Sequence, residues 1–85
     1  MLKYESDSRK VQKGQIFVAL KGLTVDGHDF IQSAIENGAS KIICDRKIDY
    51  NIPYEIVSDT DKYLKKMLKK EYSSINKYLE IKSNQ

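Results

Sequence analysis

The 85-residue sequence predicts an α/β fold, in which a small three- to four-stranded sheet packs against two helices. Three short apolar runs, at 16–20, 41–44 and 54–57, have the length of buried strands. Two longer segments, at about 28–37 and 59–71, repeat apolar residues at the spacing of an amphipathic helix. Because strand and helix patterns alternate along the chain, we expect parallel strands joined by right-handed crossovers.

The first 20 residues predict a weak strand, a polar corner and a strong strand. Leu2 and Tyr4 support a short strand before the corner Asp7–Arg9. Gly14 is expected in a turn, because glycine adopts positive φ without steric cost. The run at 15–20 is almost continuously apolar, which is typical of a strand covered on both faces, as in parallel sheets.

The next segment predicts a loop, a helix and a strand. A loop is expected over 21–27, and Asp26 near its end is suited to cap the following helix. Gly38 is expected to end that helix in the C′ position. The strand at 41–44 ends in Cys44, which we interpret as a small buried hydrophobic residue.

The C-terminal part predicts a third strand and a second helix. Tyr54 to Val57 is expected to be a strand, and Ser58 is expected to open a helix with Asp61 in a capping box. The helix should fade near Tyr72, before a linker and the start of another strand at 78–81. The apolar members of these elements are expected to be largely buried: Phe17, Val18, Leu20, Phe30, Ile31, Ile35, Ile42, Ile43, Leu64 and Leu68.

The charge is distributed unevenly, with a balance of +5 in residues 62–85 and of −2 in residues 1–61. The lysines of the second helix fall opposite its apolar stripe, which is typical of a solvated face. Because the sequence has only two arginines, we expect no nucleic-acid partner. An alternative that stays open is a free-standing interaction module whose lysine-rich helix binds an acidic partner.

The sequence excludes several classes of protein and of site. No apolar run approaches the ~20 residues of a membrane span, so we expect no membrane partner. A single cysteine cannot form an internal disulfide, which suits a cytoplasmic location. Glycine-rich phosphate loops are absent from the sequence, and one His with one Cys cannot build a closed zinc site. We therefore expect no catalytic residue, no metal and no cofactor in this chain alone.

Three places are candidates for ligand contact. Ser8 is either an ordinary turn residue or a hydrogen-bonding group at a strand end. The loop Leu23 to Asp26 is either a plain connector or a ligand loop, because open α/β sheets bind ligands beyond the ends of their strands. His28 is either a ligand contact or a polar surface residue, and the residues alone favour the surface position.

A set of short motifs, read together, resembles the N-terminal, uridine-nucleotide-binding domain of the Mur ligases. The similarity covers about residues 5 to 72. It is closest to the UDP-N-acetylmuramoyl-tripeptide synthetases (E-type Mur ligases), and the dipeptide-adding ligase of the next step (F type) is the alternative. The motifs that carry the resemblance are Asp7-Ser8-Arg9-Lys10-Val11, Gly14, Phe17-Val18-Ala19, Gly22, Asp26-Gly27-His28, Ala34 and Gly38-Ala39.

The resemblance implies a substrate and a binding site. Mur ligases use ATP and Mg²⁺ to add amino acids to UDP-N-acetylmuramoyl-peptides in peptidoglycan biosynthesis, and their N-terminal domain holds the UDP end. By position, Ser8 should contact the UDP moiety, and the loop Leu23, Thr24, Val25 should line the uracil pocket. The expected supporting residues, which fix the corner and the loop, are Asp7, Arg9, Asp26 and His28.

The resemblance also implies a truncated domain of a longer enzyme. Residues 1–72 are interpreted as the substrate-binding domain, and residues 73–85 as a linker and the start of the ATP-binding central domain. Only six residues precede the Asp-Ser-Arg motif, where the family usually has a helix and a strand. We expect the chain to be inactive by itself and to work with the central and C-terminal domains of the same enzyme.

Overall fold

Four parallel strands form one sheet, in the order in which they occur along the chain. The computed structural model describes the backbone of residues 2–83 and the side chains of residues 2–73. Phe17 pairs with Glu5 on one side and with Ile42 on the other, and Ile43 pairs with Glu55. The predicted α/β fold with a parallel sheet is therefore confirmed. The strands are β1 (Tyr4–Glu5), β2 (Ile16–Val18), β3 (Lys41–Cys44) and β4 (Tyr54–Ile56).

The first predicted helix is split into two kinds of helical turn. A 3-10 turn, Gly27–Phe30, comes first and is capped by Asp26, whose side chain accepts the backbone N–H of His28. The α-helix α1 (Ile31–Glu36) follows, and Gly38 closes it with a φ of +108°. Capping by Asp26 and termination by Gly38 are thus confirmed, whereas the α-helix itself is shorter than predicted. Another 3-10 turn, Ser8–Lys10, follows β1.

The second helix, α2 (Thr60–Ser83), begins later and ends later than predicted. Asp59 caps it by accepting the backbone N–H of Lys62 at 3.0 Å, so the capping box on Ser58 and Asp61 is wrong. The helix end near Tyr72 and the strand expected at 78–81 are also wrong: α2 continues through 73–83, which contain no glycine or proline to break it. Within residues 2–83, no helix is both long and apolar enough to cross a membrane.

The core lies on both faces of the sheet, as the continuous apolar run in β2 predicts. On the α1 face, Phe17 packs with Ile31, Ala34 and Ile42. On the opposite face, Val18 and Ile43 pack against Leu64 of α2. Successive residues of β2 and β3 alternate between these two faces because side chains alternate along a strand. Cys44 is fully buried, which confirms its interpretation as a small hydrophobic residue.

Phe30 is the clear exception among the predicted core residues, since 42% of it is exposed. It lies in the 3-10 turn, which advances about 120° per residue, so the 100° spacing of an α-helix misplaces its side chain. Leu20 is only partly buried because β2 ends at Val18 and leaves Leu20 in the following loop. Ile35 and Leu68 are also partly buried and pack against the edges of the two clusters.

Candidate functional site

The carboxyl ends of β1 and β2 meet at one edge of the sheet, where a cavity of about 610 Å³ opens. Open parallel sheets bind ligands at this edge. The segment after β1 contributes Ser6 to Arg9 to the lining, and the loop after β2 contributes Gly22 and Val25. Phe30 and Ser33 complete the side nearest α1. The structure therefore brings together two segments, 6–9 and 22–25, that are separated in the sequence by β2.

Ser8 is held in place by a corner that is hydrogen-bonded on both sides. Asp7 accepts the backbone N–H of Arg9 at 3.0 Å and binds the guanidinium of Arg9 through both carboxylate oxygens, at 3.0 and 3.1 Å. These bonds from Arg9 hold the pKa of Asp7 below its ordinary value. Asn37 of α1 donates its amide N–H to the carbonyl of Ser8 at 2.7 Å. Ser8 is consequently fixed at the cavity wall with only 7% of its surface exposed.

The loop from Lys21 to Asp26 is closed at its base by three backbone contacts. Gly22 donates its N–H to the carbonyl of Val25 at 2.8 Å, and Lys21 bridges to Asp26 in antiparallel fashion. Gly27 donates its N–H to the carbonyl of Leu20 at 2.6 Å. A Cβ on Gly27 would lie 2.7 Å from the backbone nitrogen of Leu20, so this close approach requires glycine.

The structure separates the three loop residues that the resemblance assigns to the uracil pocket. Val25 lines the cavity and is half-exposed. Leu23 is fully exposed, and Leu23 and Thr24 lie outside the lining. Phe30, which the sequence placed in the core, instead supplies an aromatic ring to the cavity wall. Its only sequence signal is that it is an aromatic residue in the turn that follows the ligand loop.

His28 is buried, so the interpretation as a polar surface residue is wrong. Its Nε2 accepts the backbone N–H of Asp45 at 3.1 Å, and its Nδ1 lies 2.7 Å from a carboxylate oxygen of Asp26. With Nε2 accepting, a ring proton on Nδ1 is donated to Asp26, and Nε2 also lies 3.2 Å from a carboxylate oxygen of Asp45. Sequence reasoning had no signal for Asp45, which follows β3 and reaches His28 only through the fold.

Arg46 joins the two carboxylates that flank His28. Its guanidinium lies 3.1 Å from Asp26 and 2.6 Å from Asp45. Hydrogen bonds from His28, the backbone bond first, lower the pKa of Asp26 to about 2. A hydrogen bond from Arg46 lowers the pKa of Asp45, and the same bond raises the pKa of Arg46. The group thus places one guanidinium between two carboxylates.

The cavity is equipped for binding. Its lining offers hydroxyl groups, a carboxylate, a guanidinium, an aromatic ring and exposed backbone groups, which are suited to recognise a ligand. Among the residues whose side chains the structure describes, no three His, Cys, Asp or Glu residues are arranged to hold a metal ion. Burial raises the pKa of Cys44, which packs in the sheet core and is not part of the lining.

Proteins similar to this chain are found among ligases. A family model described as "Mur ligase family, catalytic domain" matches residues 4–80. The UDP-N-acetylmuramoyl-L-alanyl-D-glutamate–2,6-diaminopimelate ligase of Bacillus velezensis is 43% identical over 77 residues, which are 91% of this chain and 16% of that protein. The ligase of the same name from Fusobacterium nucleatum is 46% identical over 57 residues, which are 65% of this chain and 12% of that protein.

Solved structures give the same family. MurF ligase from Thermotoga maritima in complex with ADP matches with a TM-score of 0.73 and 35% identity, covering 85% of this chain and 17% of that one. MurF from Acinetobacter baumannii matches with a TM-score of 0.64 and 38% identity, covering 67% of this chain and 13% of that one. The chain spans about one sixth of the length of its curated relative in Bacillus velezensis. Because the family model covers most of the sequence and the fold agrees, the chain belongs to the Mur ligase family, in which it corresponds to the N-terminal domain.

Proposed function

We propose that this chain binds the uridine diphosphate end of a UDP-N-acetylmuramoyl-peptide for a peptidoglycan-precursor ligase. The observation that carries the proposal is the cavity at the carboxyl edge of the sheet, where Ser8, Val25 and Phe30 come together. The substrate class comes from the relatives, which are named as ligases of UDP-N-acetylmuramoyl-L-alanyl-D-glutamate. The cavity volume lies within the ordinary range for small-molecule sites.

The lining residues suit the parts of a uridine nucleotide. Uracil is flat, and the ring of Phe30 with the side chain of Val25 offers it an apolar wall. The hydroxyl of Ser8 and the backbone of Gly22 offer hydrogen bonds to the base or the ribose. The guanidinium of Arg9, which is paired with Asp7 and has 87% of its side chain exposed, offers its remaining N–H groups to the diphosphate.

Leu23 and Thr24 have a different place in the proposal. They are exposed and lie beyond the cavity, so they would contact only the part of the nucleotide that extends past the rim. Asp7 would act through the corner that presents Ser8, and Asp26 and His28 would act through the loop. None of these residues is assigned a catalytic role.

The complete enzyme would use ATP and Mg²⁺, bound outside this chain, to form an amide bond in the cytoplasm. The central and C-terminal domains of the same enzyme would be the partners of this chain. We propose the E-type ligase rather than the F type, because a diaminopimelate ligase is 43% identical over 91% of the chain. The F-type structure of Thermotoga maritima is 35% identical over 85% of the chain.

A chemical-shift titration of the 85-residue chain with UDP tests the proposal. We expect perturbations at Ser8, at 22–25 and at Phe30, and a weaker response to ADP, which carries a purine. Removing one hydrogen bond costs about 0.5–1.5 kcal/mol, so Ser8→Ala should weaken UDP binding by roughly two- to twelvefold. Ser58→Ala, a change at an exposed serine outside the cavity, is the matched control.

The competing hypothesis of an interaction module predicts chemical-shift changes at different residues. The lysines of α2 (Lys62, Lys65, Lys66, Lys69 and Lys70) are exposed, and contacts through them should weaken steeply as salt is added. If UDP perturbs this face and leaves Ser8 and the loop unchanged, the uridine site is refuted. Binding that survives Ser8→Ala and equals that of Ser58→Ala would remove Ser8 from the site.

A further inference from the structure

A cluster of four polar side chains ties the ligand loop to the end of β3. Asp26 ends the loop, His28 lies in the 3-10 turn that follows, and Asp45 and Arg46 come directly after β3. His28 connects Asp26 to the backbone of Asp45, and Arg46 connects the carboxylates of the same two residues. Two sets of polar contacts, one through His28 and one through Arg46, thus connect the loop to the end of β3.

Few other contacts of the loop reach beyond its own base. The contacts that close it, between Gly22 and Val25 and between Lys21 and Asp26, lie within the loop. Its tip, from Gly22 to Val25, is exposed. The angle at which the loop stands over the cavity therefore depends on the bond from Gly27 to Leu20 and on how its end at Asp26 is fixed.

Arg46 is suited to fix that end because its planar guanidinium reaches both carboxylates at once. Nη1 lies 3.1 Å from Asp26, and Nε lies 2.6 Å from Asp45. The two carboxylates repel each other, and the positive charge between them offsets that repulsion. A lysine provides the charge but presents no rigid fork, so it cannot hold both partners in the same geometry.

We propose that Arg46 is a positioning residue for the ligand: together with His28 it clamps the loop Lys21–Asp26 to β3 and holds Val25 against the cavity. The clamp deepens the proposed function, and its role in affinity rests on uridine binding. The effect of the clamp on loop order does not depend on a ligand. Arg46 is half-exposed, so replacing it leaves the buried core intact.

The test compares Arg46→Gln, Arg46→Lys and the control Lys41→Gln in the 85-residue chain. Lys41 forms an ion pair of similar exposure with Glu55, at 3.1 Å and away from the cavity. Lys41→Gln therefore removes one positive charge, as Arg46→Gln does, but leaves the cluster intact. Amide hydrogen exchange is measured at Gly22 and Gly27, with Ile42 in the core as the reference. UDP affinity is measured for each variant by the same titration.

Arg46→Gln should accelerate exchange at Gly22 and Gly27 by about two- to fivefold and leave Ile42 unchanged, as the loss of partly exposed ion pairs implies. It should weaken UDP binding by a similar factor, with Arg46→Lys between it and the wild type. Equal exchange in Arg46→Gln and Lys41→Gln would overturn the clamp. So would uniform acceleration that includes Ile42, because that is the mark of general destabilisation.

The two proposals can fail separately. If UDP does not bind the wild type, the proposed function fails, and the exchange rates still decide whether the clamp orders the loop. If UDP binds the wild type and Arg46→Gln equally well, the positioning role fails and the uridine site stands.

Discussion

Asp26 makes several of the polar contacts at the site, and its two carboxylate oxygens have different partners. One of its carboxylate oxygens accepts the backbone N–H of His28 and lies 2.7 Å from Nδ1 of the same residue. The other oxygen lies 3.1 Å from Arg46. The sequence predicts the capping bond, because a carboxylate two residues before the N–H that donates to it is a local pattern. It does not predict the contact with Arg46, which follows β3, is distant in sequence and meets Asp26 only after the sheet has formed.

The acid stability of the domain should depend on Asp26. Its folded pKa of about 2 lies below the ordinary value of 3.8, so its contribution is present above about pH 4 and is lost as the pH falls towards 2. The carboxylate is about one quarter exposed, and after allowance for solvent screening the contribution is at most roughly 2 kcal/mol. Urea unfolding at pH 7 and at pH 2.5 measures it.

Asp26→Asn should therefore lower the free energy of unfolding at pH 7 and lose less of it on acidification than the wild type. Asp49→Asn, a change at an exposed acidic residue outside the cluster, should follow the wild type at both pH values. If the free energy of unfolding falls by the same amount on acidification in Asp26→Asn and in the wild type, the hydrogen bonds of Asp26 do not stabilise the fold.

Two turns meet at the edge of the sheet opposite the cavity, and both depend on a glycine with positive φ. Gly14 precedes β2 with a φ of +91°, and Gly38 precedes β3 with a φ of +108°. They are joined by a hydrogen bond of 2.9 Å from the N–H of Gly14 to the carbonyl of Gly38. The sequence predicts both turns because glycine marks them, but it does not predict that they touch.

The two glycines should differ in their tolerance of alanine. At Gly14 an added Cβ meets nothing within 4 Å, so Gly14→Ala should cost only the backbone strain, about 1–2 kcal/mol. At Gly38 the Cβ would also lie 2.7 Å from Cα of Lys13, which adds about 1–3 kcal/mol of overpacking. Thermal unfolding of both variants measures the difference. Equal losses of stability would mean that the backbone at Lys13 moves away from the added Cβ without destabilising the fold.

At the scale of the whole molecule, the sequence predicts the sheet better than the helices. Continuous apolar runs identify β2 and β3 because a strand buried on both faces has no polar position to obscure it. The limits of α2 are less well predicted. Ser58 and Asp59 are neighbours that are both suited to cap a helix, and the polar residues that follow Tyr72 suit a helix as well as a linker, although α2 continues to Ser83. The cavity follows from topology, whereas its lining by Phe30 depends on the 3-10 geometry of a single turn.

The two faces of the sheet should contribute unequally to stability. Phe17 is fully buried in the larger cluster with α1, and Leu64 is 9% exposed in the smaller cluster with α2. Phe17→Ala should cost about 3–5 kcal/mol, and Leu64→Ala should lie near the lower end of the 2–5 kcal/mol typical of Leu→Ala changes. A domain of this size is stable by roughly 4–13 kcal/mol, so Phe17→Ala removes a large share of the stability and, at the low end of that range, leaves much of the chain unfolded in water. Urea unfolding followed by circular dichroism measures both losses, and an equal or larger loss in Leu64→Ala would place the stabilising core on the α2 face instead.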